Sequence, residues 1–126
     1  MQIAYATPMG EHYGVIFSVD GRSVVTMHHP NWRGQSSLLV SGRHTYLNVA
    51  YTLDDAPDFE LFVMLVSTEP LDEETVLWEA RRITEKAALY DPSASFGPLE
   101  TMEFIEEEIR AAFGDSEIEF LRMLKQ

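Results

Sequence analysis

His28 and His29 stand side by side in VVTMHHP, and Asp54, Asp55, Asp58 and Glu60 crowd LDDAPDFE further along the chain. Imidazoles and carboxylates are the raw material of acid–base catalysis and of metal binding. Successive residues of a strand point to opposite faces, however, so neighbouring imidazoles diverge and cannot chelate one ion without a break in the strand. No HxH or HExxH spacing supports a metal, and the acidic run lacks the D-x-D-x-D-G pattern of a calcium loop. Aspartates around a proline also serve turns, by bonding nearby backbone amides. The expectation is no metal ligand, no catalytic residue and no cofactor. One enzymatic alternative stands beside it: a small hydrolase or metal-dependent enzyme using His28 or His29 with Asp54 and Asp55.

Other chemistry fares no better. No serine lies in a G-x-S-x-G elbow, and Ser18, Ser23 and Ser67 fall in predicted strands. No G-x-G-x-x-G or P-loop is present. The chain has no cysteine, which removes disulfides, thiolate metal sites and cysteine nucleophiles. His12 and His44 are isolated. Trp32 beside Arg33, in NWRGQ, has the composition of a binding anchor, and a tryptophan folded over the sheet edge fits equally well. With His28 and His29 these two make a candidate binding patch. Trp78 falls beside an apolar helical stripe and is expected to pack in the core.

Charge narrows the partners. The formal net charge is −12, from 21 acidic and 9 basic residues, and the acid is concentrated from Leu53 onward. Such a surface repels phosphate backbones and anionic lipid, so nucleic acid is excluded as a partner; a protein or a small ligand remains. No window approaches the ~18 apolar residues that span a bilayer, so this chain inserts into no membrane by itself. MQIAYATPMGEH lacks the basic and apolar regions of a signal peptide. IAYATPM reads as a strand already under way, as in a piece of something longer.

The elements that must position these residues follow from periodicity. Asp20-Gly21 between two apolar runs predicts a two-residue hairpin turn, with Val19 opposite Arg22 and Tyr13 opposite His28. Both faces of that hairpin are apolar, as in a strand pair covered on both sides. SSLLV, TYLNVAY and FELFVMLVS predict further strands. Asp72 is placed to cap a helix whose stripe is Val76, Leu77, Ala80, Ile83 and Ala87. Pro98 suits the first turn of a second helix, striped by Met102, Ile105, Ile109, Ala112 and Phe113. EIEFLRML closes the chain as a strand. The order predicts one domain over 1–126: a β-rich part over 1–67, two helices within 72–113 and a last strand over 117–124. The fold class expected is α+β, a mostly antiparallel, β-sandwich-like sheet with two C-terminal helices added at one end and a final strand.

Taken together, YGVIFSVDGRSVVTMHHP and LLVSGRHTYLNVAYTLDDAPDFELFVMLVSTEPLD resemble a bacterial β-rich domain of unknown function. That domain follows the membrane helix of anti-sigma-factor-like proteins and accompanies bacterial caspase-like proteases. The shared pattern is Asp20-Gly21, His29-Pro30, Ser41-Gly42, Leu53 to Pro57, and the strand Phe59 to Ser67 with Glu60 near its start. It covers roughly residues 12 to 90 and contains no catalytic motif. The resemblance implies a non-catalytic binding or sensory accessory domain of an envelope-associated regulator. It would be tethered by an upstream transmembrane helix on the periplasmic side of the inner membrane; without that tether the chain would be cytoplasmic.

Overall fold

The computed structural model describes residues 4–6, 12–29, 38–39, 44–46, 59–90 and 97–124. In chain order these form β1 (Ala4–Ala6), β2 (His12–Asp20), β3 (Val25–His29), β4 (Leu38–Leu39), β5 (His44–Tyr46), β6 (Phe59–Ser67), α1 (Glu73–Tyr90), α2 (Pro98–Ala112) and β7 (Glu117–Leu124). The architecture is α+β. The main sheet is antiparallel in the order β3-β2-β6-β7, with β4 joined to the beginning of β2. A separate antiparallel pair joins β1 to β5.

β2 and β6 are interior strands of the sheet and are largely buried on both faces. One face, built from Val15, Phe17 and Val19 of β2 and from Phe59, Leu61, Val63 and Leu65 of β6, receives the helices. α1 contributes Val76, Ala80, Ile83 and Ala87, and α2 contributes Met102, Ile105 and Ile109. Each fully buried aliphatic side chain adds about 1.5–3 kcal/mol, so this shared layer holds sheet and helices as one unit. The helices therefore lie across a face of the sheet, not at its end as the sequence suggested.

Both helix starts follow sequence logic. Asp72 caps α1: its carboxylate accepts from the Glu74 amide at 3.3 Å and from the Thr75 hydroxyl at 2.6 Å. Pro98 opens α2, where its missing amide would have had no intrahelical partner. α2 is fastened to the edge strand by Glu106, whose buried carboxylate accepts two hydrogen bonds from Arg122 of β7, at 2.6 and 2.7 Å. Arg110 lies over the Phe120 ring, 4.9 Å from its centroid.

Two expectations fail in instructive ways. The β2–β3 turn spans Gly21 to Val24 instead of two residues, with the Asp20 amide donating to the Val24 carbonyl at 3.1 Å. The Asp20 carboxylate closes it, accepting from the amides of Arg22 and Val24 at 2.8 and 3.0 Å. Ser23 takes a left-handed conformation, φ 65°. Val19 consequently faces Val25, and Tyr13 pairs with Leu38 and Ser67 instead of His28. Trp78, expected in the core, is 64% exposed.

Candidate functional site

The longer turn changes what the histidines can touch. β3 pairs with β2 as Val19–Val25, Ser18–Thr26 and Phe17–Met27, and then jumps to Ile16–His29. His28 is the extra residue of a β-bulge, which re-aims its side chain. Directly opposed residues share a face, so His29 stands with Ile16 on the side away from the helices. The bulge turns His28 to that side too. Its Nε2 lies 2.8 Å from the Ser18 hydroxyl, and its ring packs against Phe62, centroids 5.4 Å apart. The expected divergence of the two imidazoles is overturned, because a bulge is the break in alternation that the pattern could not reveal.

The result is a buried polar group on the second face of the sheet: Ser18, Asp20, His28 and Glu60. Asp20 and Glu60 face each other across β2 and β6. Burial pushes the His28 pKa below its usual 6.5, and the Glu60 charge opposes that push with a smaller effect. Chemically, a hydroxyl against an imidazole with a carboxylate near by has the membership of a nucleophile–base–orienter set. Both members are enclosed by the sheet. Ser18 is 0% exposed, mid-strand between β3 and β6, and His28 is only 7% exposed. A buried hydroxyl and ring that satisfy each other form a core hydrogen bond.

Sequence reading placed Ser18 correctly in a strand and gave it no partner. The only signal for its meeting with His28 was the polar serine amid apolar neighbours of an interior strand, where an unsatisfied hydroxyl is costly. Of the other residues singled out, Trp32, Arg33, Asp54, Asp55 and Asp58 lie outside the described residues. His12 and His44 are on β2 and β5. Among the described residues, no group of three or more His, Asp or Glu side chains is placed to hold a metal ion, and no helix is long and apolar enough to cross a membrane.

Comparison with family models, curated proteins and solved structures finds no match for this chain.

Proposed function

We propose that this chain is a non-catalytic binding or sensory domain of a bacterial envelope-associated, anti-sigma-like regulator, working on the periplasmic side of the inner membrane. The observation that carries the non-catalytic reading is the Ser18–His28 pair. This serine–histidine contact is locked between strands with its hydroxyl fully buried. The regulatory setting rests on the sequence resemblance over residues 12 to 90. The surface supports binding over catalysis as well: α1 presents an exposed Trp78, and exposed tryptophans are common binding anchors.

The alternative is a small hydrolase or metal-dependent enzyme using His28 or His29 with Asp54 and Asp55, of which His28 belongs to this buried pair, and one experiment separates the two. Hydrolysis of p-nitrophenyl acetate and p-nitrophenyl phosphate, with and without zinc, is to be measured for the native chain and for His28→Gln. The expected result is no turnover above buffer in either protein. Turnover in the native chain that His28→Gln removes without loss of circular dichroism overturns the reading. For the envelope setting, the gene upstream of Met1 is expected to encode a membrane-spanning helix; an open reading frame beginning at Met1 counts against it.

A further inference from the structure

β7 forms one border of the main sheet, and among the described residues β6 is the strand paired with it. The direction of its backbone groups follows from a single bond. The Gly21 amide donates to the Phe59 carbonyl at 3.0 Å, continuing the register that sets Asp20 opposite Glu60. Odd-numbered residues of β6 thus turn their N–H and C=O groups toward β2, and even-numbered ones toward β7. Glu117, Glu119, Leu121 and Met123 pair with those even residues. The N–H and C=O groups of Ile118, Phe120, Arg122 and Leu124 therefore point outward. This is an eight-residue open edge that also displays two leucines, Leu121 at 52% and Leu124 at 63% exposure.

We infer that β7 pairs with β7 of a second copy of this chain, antiparallel about a two-fold axis at Leu121, joining two sheets into one. Such an axis, perpendicular to the sheet, keeps the helices of both copies on the same side. In this register Ile118 faces the partner's Leu124, Phe120 faces the partner's Arg122, and both pairings recur across the axis. All four outward-pointing residues are used, giving about eight inter-chain hydrogen bonds. Leu121 meets the partner's Leu121 at the axis, and Leu124 gains Ile118, so both exposed leucines acquire apolar neighbours.

Charge fits the same register. Glu119 faces the partner's Met123, and no glutamate within β7 opposes a glutamate. Arg110 lies over Phe120, while the partner's Glu106 holds the partner's Arg122. Setting Phe120 opposite the partner's Arg122 brings Arg110 to the level of the partner's Glu106, an opposite charge. Moving the axis to Phe120 leaves both exposed leucines without an apolar residue opposite: Leu121 then faces the partner's Glu119, and Leu124 passes beyond Ile118 to position 116. A self-complementary edge of this kind is what protective charges and bulges ordinarily prevent.

The absence of cysteine makes the test clean. Sedimentation velocity on the full chain, from micromolar to submillimolar concentration, is expected to show a monomer–dimer equilibrium. Leu121→Glu, which sets two carboxylates together on the axis at a position exposed in the monomer, is expected to weaken dimerisation at least ~10-fold. Leu121→Cys is expected to form an inter-chain disulfide under mild oxidation, because residues at such an axis have Cα atoms ~4.5 Å apart, within disulfide range. Glu119→Cys, ~13 Å from its own copy, is expected to remain largely unlinked. A monomer at every concentration overturns the inference, as does a dimer indifferent to Leu121→Glu or one in which Glu119→Cys links as fast as Leu121→Cys.

Discussion

Ser18 of β2 and His28 of β3 meet with Oγ and Nε2 2.8 Å apart, and they meet because a bulge adds one residue to β3. Each satisfies a polar group that the sheet has removed from water. Ser18→Ala leaves the ring without that partner and is expected to destabilise the fold by about 1–3 kcal/mol in urea denaturation. A cost near zero would mean the hydrogen bond contributes nothing.

Burial lowers the His28 pKa in the folded chain below the ordinary 6.5. As pH falls, the unfolded chain takes up the proton first. Stability from the neutral ring is thus complete above 6.5 and is lost as pH falls from there through the lowered folded value. Carboxylates contribute their own pH dependence, so the informative quantity is a difference. Between about pH 7.5 and about pH 5.5 the native chain is expected to lose more stability than His28→Gln, as read by denaturant midpoints. Parallel curves would show that His28 is not the group responsible.

Two side chains on α1 should behave oppositely. Ile83 is buried in the layer between helices and sheet, so Ile83→Ala is expected to cost about 2–5 kcal/mol. Trp78 projects outward, and Trp78→Ala is expected to change stability by no more than about 0.5 kcal/mol despite its size. Thermal melts of the two variants check both.

Ser23 carries a positive φ, a conformation that costs little only for glycine. Ser23→Gly is expected to stabilise the hairpin by about 0.5–1 kcal/mol, seen as a higher denaturant midpoint with an unchanged slope.

Much of the fold was legible in short-range pattern. Asp72 and Pro98 marked helix starts because capping depends only on neighbours along the chain, and the doubly apolar runs of β2 and β6 marked interior strands. Trp78 was legible and misread: at ~100° per residue it lies about 180° from Ala87, opposite the buried stripe. The polar cluster was not legible. Asp20-Gly21 suggested the shortest hairpin loop, but the Asp20 carboxylate bonds two amides further on and draws out a longer turn. That choice, with the bulge, moved every cross-strand partner of β3, and register is a long-range property on which loop composition gives only a hint.

The most direct measurement of the structural role assigned to His28 is nitrogen NMR of the imidazole rings at neutral pH, with and without equimolar zinc. If the ring is a buried partner of Ser18, it reports a neutral, hydrogen-bonded imidazole whose resonances zinc leaves unchanged. If zinc shifts the His28 and His29 rings together, the two imidazoles share an ion, and the view of this face as a core without chemistry is contradicted.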